Sequence, residues 1–270
     1  MKYCKFLSPH GSPRYANVED RNGTLWAASL MEPPVEDLAA QLAILHSPEP
    51  FDAAPLSSLQ LLPPVAPSKI LCIGRNYKEH AAELGNEAPK EPLLFLKPPS
   101  SLLAPGGVIK MPALSKRVDY EGELAIVIGQ RCSKLSPAED PLDYIRGYTI
   151  VNDVTARDIQ KSDGQWTRGK GWDTFCPVGP IVSDEIDPAG GQPVTVTTRL
   201  NGAIKQQGST RDFIFPIADL LRYITATMSL EPGDLIPTGT PAGVGAVKPG
   251  DRIQVEIDGL GILENQFAAE

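Results

Sequence analysis

Two glutamates lead straight into the most demanding stretch of this chain, Glu121-Gly-Glu-Leu-Ala-Ile-Val-Ile-Gly129. From Leu124 to Ile128 every residue is apolar and most are branched, so the run predicts a strand buried on both faces. A strand of that kind lies inside the fold, with other layers packed over each side. Side chains alternate along a strand, so Glu121 and Glu123 point the same way. Two carboxylates placed there repel each other and resist burial unless a cation sits between them. A second apolar run, Tyr148-Thr-Ile-Val151, also leads to a carboxylate, Asp153. Three acidic oxygens at the ends of two core strands describe a hard-cation site, and all-oxygen ligation suits Mg²⁺ or Mn²⁺, not Zn²⁺. The competing reading is three acids facing solvent at strand ends.

The chain carries a net charge of −8 and no basic cluster, which argues against nucleic acid and against an anionic membrane surface. An acidic substrate must therefore be drawn in by local cations, not by the global field. Cys4, Cys72, Cys132 and Cys176 are scattered, with no C-x-x-C spacing, so structural zinc is disfavoured and a reducing compartment is expected. Met1-Lys-Tyr-Cys-Lys-Phe lacks a signal-peptide core, and no apolar stretch is long enough to span a bilayer. A soluble, cytoplasmic protein is the expectation.

Asn22-Gly23 predicts a hairpin between Tyr15–Val18 and Thr24–Trp26, and Asn201-Gly202 another between Val194–Leu200 and Ala203–Gln207. Leu38, Leu42 and Leu45 fall at helical spacing within 35–45. Six prolines from Pro48 to Pro67 then interrupt any regular element. The division expected is a small N-terminal α+β lobe, 1–66, and a main domain, 67–270, opening with a strand at Ser68–Gly74. Asp212 is placed to cap a helix through Ile217, Leu220, Leu221 and Ile224. Pro232-Gly-Asp234 and Pro249-Gly-Asp251 read as turns, each followed by a strand. The fold class expected is mixed α+β, predominantly β, built as a roll or barrel and not a doubly wound sheet.

Several residues are candidates for chemistry. Asn76 and Gly85 bound a short helix, Tyr77–Leu84, on which His80 and Glu83 are neighbours at i,i+3. A carboxylate beside an imidazole orients the ring and raises its basicity, which suits water activation; the plainer reading is an exposed helix pair. Lys170, between Gly169 and Gly171, offers a point charge where the backbone can approach a ligand. Thr238-Gly-Thr-Pro-Ala-Gly-Val-Gly245 can present amides and the Thr240 hydroxyl to an anion, but it lacks the Lys-Ser/Thr ending of a nucleotide loop. Lys97, after the run Phe95-Leu, and Arg75, after the first main-domain strand, are candidate partners for substrate carboxylates. Trp166 and Trp172 read as core or pocket-wall aromatics.

Taken together, these blocks resemble the fumarylacetoacetate hydrolase family from about Lys69 to Phe267. The resemblance rests on Gly-Arg-Asn-Tyr with His-x-x-Glu, Phe-Leu-Lys-Pro, Asp-Tyr-Glu-Gly-Glu-Leu, Asn-Asp-Val-Thr-Ala-Arg-Asp-Ile-Gln, Lys-Gly-Trp-Asp-Thr-Phe-Cys-Pro, Asn-Gly, and Thr-Gly-Thr-Pro-x-Gly-Val-Gly, in that order. It implies a β-roll catalytic domain, usually homodimeric, that uses Mg²⁺ or Mn²⁺. By position Glu121, Glu123 and Asp153 match the family's metal ligands. His80 and Glu83 match its water-activating pair, carried on a helix that orders over the site when ligand binds. Lys170 matches the lysine near the metal, and Gln160, Arg75 and Thr240 match substrate-contacting positions. The implied reaction passes through an enolate of a 2-oxo acid or 1,3-dicarbonyl. Hydrolysis or decarboxylation, of the acylpyruvate hydrolase or oxaloacetate decarboxylase type, is the leading expectation. Isomerisation of 2-hydroxy-dienedioate acids is the alternative.

Overall fold

The computed structural model describes residues 1–46, 50–83 and 88–270. At its centre the strand Gly122–Ile128 is buried along its whole length. Alternation places Leu124, Ile126 and Ile128 in one apolar cluster with Val196, Val255, Leu263 and the helix residues Leu220, Leu221 and Ile224. Ala125 and Val127 enter a second cluster with Val151, Val178 and Leu235. Burial of each larger side chain is worth about 1.5–3 kcal/mol, and a slip by one residue would exchange the two faces, so register is strongly specified.

This strand lies within a twelve-stranded sheet. From one edge the main path of ten runs Ala54–Pro55, Thr24–Met31, Pro13–Arg21, Lys2–Leu7, Cys176–Ser183, Ile145–Asn152, Gly122–Ile128, Leu235–Pro237, Ile70–Gly74 and Leu93–Lys97. Off it, Gln60–Leu62 pairs with Lys2–Leu7 and Leu102–Leu103 with Cys176–Ser183. Lys2–Leu7 pairs antiparallel with Cys176–Ser183, so the segment before Pro67 joins the same sheet as the strands after it. A five-stranded sheet contains Ala203–Ser209, Thr195–Leu200, Arg252–Ile257, Gly261–Ala269 and Val108–Met111. The fold is predominantly β, with short helices between and over the strands.

Both expected hairpins are present, and the reason is local. Asn22 and Gly23 have φ of 55° and 81°, and Asn201 and Gly202 have 51° and 82°, the left-handed pairs that two-residue hairpin turns require. The N-terminal helix spans Leu38–His46, with the Asp37 carboxylate accepting from the Ala40 amide at 3.2 Å. Two expected caps differ. The helix Ile217–Thr225 starts after Pro216, while Asp212 closes a preceding 3₁₀ turn in a capping box with Ser209. Asn76 is a buried cross-link: its side-chain amide donates to the carbonyls of Thr238 (2.9 Å) and Phe215 (3.2 Å) and accepts from the Phe215 amide. The helix after it is Lys78–Glu83, and the expected stop at Leu84 and Gly85 lies outside the described residues.

All four cysteines are buried and unpaired. Burial pushes the Cys4 thiol up to about 12 and the Cys132 thiol up to about 11, which makes them unreactive near neutrality. No helix among the described residues is long and apolar enough to cross a membrane.

Candidate metal centre and active site

Glu121, Glu123 and Asp153 converge, each offering a carboxylate oxygen within 4.8 Å of the others. Two local features bring them together. Gly122 faces the five-stranded sheet so closely that a Cβ would lie 2.2 Å from Thr198 Oγ1, which leaves both glutamates on the opposite side. The Asp153 amide donates to the Glu121 carbonyl at 2.8 Å and so locks the end of the neighbouring strand beside the first glutamate. All three acids are buried. The reading in which they face solvent is therefore excluded.

Their electrostatics differ. Burial, reinforced by the charges of Asp153 and Glu121, raises the Glu123 carboxyl well above the usual carboxylate range. Its one hydrogen bond among the described residues comes from the Gly239 amide, 2.8 Å from Oε2. For Glu121 burial acts in the same direction, but Lys170 and then Arg157 outweigh it and hold the group below that range. A buried carboxylate left this short of positive charge, beside two others, is suited to a hard divalent cation.

Three buried cations surround the acids. Lys170 Nζ donates to Glu121 Oε2 at 2.9 Å, Asp153 Oδ2 at 2.5 Å and Thr155 Oγ1 at 2.8 Å. It ends the short helix Thr167–Lys170 and does not stand on a loop. Arg157 opens the helix Arg157–Asp163 and donates to Glu121 Oε1 (2.5 Å), Asp119 Oδ2 (2.8 Å) and Gln160 Oε1 (2.9 Å). Sequence reasoning did not single out Arg157; its i,i+3 spacing to Gln160 was the signal available. Lys97, expected to meet substrate, is fully enclosed instead. Its Nζ donates to Asp153 Oδ1 at 2.6 Å and to the Val154 carbonyl at 3.2 Å, and it does not line the cavity. Replacing Lys97 by methionine should cost about 3 kcal/mol in denaturant unfolding, since removing one partner of a buried pair strands the other. Wild-type stability in that variant would show that Lys170 alone satisfies Asp153.

The three acids open into a cavity of about 260 Å³. Arg75, His80, Arg157, Gln160, Lys170 and Thr240 share its walls, with Trp166 and Phe95 on the apolar side. His80 is buried, and its Nδ1 lies 3.3 Å from Glu83 Oε2. Glu83 is itself held by the Gly243 amide, 3.1 and 3.2 Å from its two oxygens. That pairing occupies Nδ1, and Nε2 has no hydrogen-bond partner among the described residues. Arg75 has a left-handed backbone (φ 56°), a conformation non-glycine residues keep only where surroundings enforce it. Its guanidinium lies 5.8 Å from the Trp166 ring centroid. The Thr240 hydroxyl donates to the Gly122 carbonyl (2.9 Å) and accepts from Gln206 (2.7 Å), so it braces the glutamate strand.

The glycines act differently from expectation. The amides of Gly239 and Gly243 are given to the protein's own Glu123 and Glu83. Gly169 meets protein backbone and not ligand: a Cβ there would lie 2.8 Å from the Gln160 N and Cα atoms. Gly169→Ala should push apart the helices that carry Gln160 and Lys170, at a cost of about 1–3 kcal/mol in denaturant unfolding. An unchanged midpoint would mean that the two helices separate freely.

Known proteins share this arrangement of chain. Oxaloacetate tautomerase YisK of Bacillus subtilis is 44% identical over 224 residues, covering 78% of this chain and 75% of that protein. The crystal structure of a 2-hydroxyhepta-2,4-diene-1,7-dioate isomerase from Mycobacterium marinum superposes with a TM-score of 0.83 at 40% identity, covering 100% of this chain and 99% of that one. A fumarylpyruvate hydrolase from Pseudomonas aeruginosa, solved in complex with Mn²⁺ and pyruvate, is 29% identical with a TM-score of 0.69, covering 78% of this chain and 92% of that one. Residues 69–268 match the family described as fumarylacetoacetate (FAA) hydrolase, C-terminal, and the chain belongs to that family.

Proposed function

We propose that this chain is a divalent-cation-dependent enzyme that moves a proton between the enol and keto forms, or along the conjugated chain, of a small 2-oxo acid. The observation that carries the reading is the single cavity onto which three buried carboxylates, Lys170, Arg157 and His80 all open. Named relatives at 44% and 40% identity act by tautomerisation and isomerisation, which supports this choice over its neighbours.

Glu121, Glu123 and Asp153 would hold the ion, and Mg²⁺ or Mn²⁺ fits an all-oxygen donor set. Such an ion supplies Lewis-acid stabilisation of negative charge developing on the substrate's keto oxygen. Lys170 and Arg157 add fixed positive charge at short range in a site shielded from water. Counting the buried Asp119, which Arg157 also pairs with, four acids face four cations, Lys97, Lys170, Arg157 and the half-exposed Arg117, so an added divalent ion leaves a formal excess of two positive charges. A dianionic substrate balances that excess. Local charge thus attracts an acid into a protein whose net charge is −8. His80 Nε2, with the ring oriented by Glu83 through Nδ1, takes and returns the proton. Arg75 pairs with a substrate oxygen remote from the three acids, and Trp166 excludes water there.

C–C hydrolysis or decarboxylation is the second reading, favoured by the His80–Glu83 pair, which can equally deprotonate a water. A panel of enol-oxaloacetate, 2-hydroxy-dienedioates, acetylpyruvate and fumarylpyruvate, assayed with Mn²⁺ and with chelator, separates the two. Turnover of the first pair alone supports proton transfer, cleavage of the second pair moves the assignment to hydrolysis, and turnover unaffected by chelator rejects the cation-dependent reading. A homodimer is proposed on family grounds, with sedimentation as its test.

A further inference from the structure

Beside the carboxylate cavity lies a second space of about 540 Å³, and Arg75, Phe95, Gly164 and Trp166 form walls of both. We propose that this trough is the distal half of the active site and receives a hydrocarbon arm of the substrate. The inference deepens the oxo-acid reading above and rests on it. The two spaces differ in chemistry. The first is lined by acids and cations, whereas Leu93, Leu94, Leu96 and Met228 supply the outer walls of the second. Adjacent polar and apolar compartments with shared walls fit a ligand with a charged head and an apolar arm.

Trp166 is the partition. Its ring meets Phe95 edge-on at 5.2 Å and lies so close to Gly74 that a Cβ there would come within 2.8 Å of it. Arg75 stands over the same ring, its Nε buried and without a hydrogen-bond partner among the described residues. An arm leaving the cavity therefore passes an aromatic face and a guanidinium, and then reaches leucine side chains. The strand Leu93–Lys97 ends the sheet order, and Leu96 is 42% exposed, so the far side of the trough is open. An exposed leucine, flanked by the half-buried Leu93 and Leu94 and joined to a charged cavity, marks a place that something apolar covers. A compact four-carbon diacid does not require that space; a longer acyl or dienoate chain uses it.

The test uses the full chain loaded with Mn²⁺ and titrated calorimetrically with oxamate, N-propyl oxamate and N-hexyl oxamate, whose shared head mimics a 2-oxo acid. Affinity should rise about two- to fourfold for each added methylene, the gain expected for buried CH₂ groups. Leu96→Asp and, as an independent variant, Met228→Glu should flatten that dependence while leaving oxamate itself unchanged. Oxamate binding with an affinity indifferent to chain length would overturn the trough and leave the head-group reading standing. Failure of oxamate to bind would sink the oxo-acid reading and this inference with it. A flat response accompanied by a loss of assembled mass in Leu96→Asp would assign the leucines to contact between copies instead.

Discussion

Replacement of His80 by alanine is expected to lower kcat/KM by about 10²–10⁴-fold for any reaction in which a proton must be moved to or from carbon or water. Tautomerisation, double-bond isomerisation and C–C hydrolysis all fall in that class. Loss of CO₂ from oxaloacetate needs no base and should fall far less. The size of the effect follows from the surroundings of the ring: it is buried against the cavity, its Nδ1 faces Glu83, and Glu83 is anchored by the Gly243 amide. Glu83→Gln should give an intermediate loss, because the amide can still orient the ring but carries no charge. Equal losses for decarboxylation and for proton transfer in the His80 variant would remove the histidine from its assigned role.

The second large effect is on stability. Saturation with Mn²⁺ or Mg²⁺ at about 100 times Kd should stabilise the protein by about 2.7 kcal/mol, or roughly 5–10 °C in Tm for a chain of this size. The pH dependence follows from Glu123. Its carboxyl, raised chiefly by burial and then by Asp153 and Glu121, keeps a proton in the folded protein that the unfolded chain has released. Stability without the ion therefore declines as pH rises from the ordinary carboxylate range to the raised value. A divalent ion takes the place of that proton, so the ion-induced shift in Tm should grow over the same interval, with proton release measurable by calorimetry in buffers of different ionisation enthalpy. Glu121 acts oppositely: the stability gained from its lowered value is present above the ordinary range and lost on acidification. Glu123→Ala should abolish the shift, and a shift of equal size at acid and alkaline pH would contradict the assignment.

What could be read from sequence was what depends on near neighbours in the chain. The burial of Leu124–Ile128, the common side taken by Glu121 and Glu123, and the Asn-Gly hairpins all follow from backbone periodicity and turn geometry. The features that escaped it depend on partners far away in sequence. Lys97 read as a substrate cation because nothing nearby shows that Asp153 claims its ammonium. Asn76 read as a cap because its true partners, Thr238 and Phe215, lie on other elements. The glycines around Lys170 suggested ligand approach, whereas Gly169 makes room for Gln160. Arg157 went unremarked because an arginine opening a short helix is ordinary until Asp119 and Glu121 are seen on either side of it.

All three acids lie in one middle stretch of the chain, yet the amide that aims Glu123 belongs to Gly239, and Leu235–Pro237 must slot between Gly122–Ile128 and Ile70–Gly74 before that amide arrives. A ribosome that has delivered every donor has therefore not delivered the cage. Chains truncated before Leu235 should show no divalent-dependent stabilisation, and a nascent polypeptide should stay indifferent to the ion until its closing segment emerges. Cofactor capture would then report that the chain through Gly239 has emerged and taken its place in the sheet.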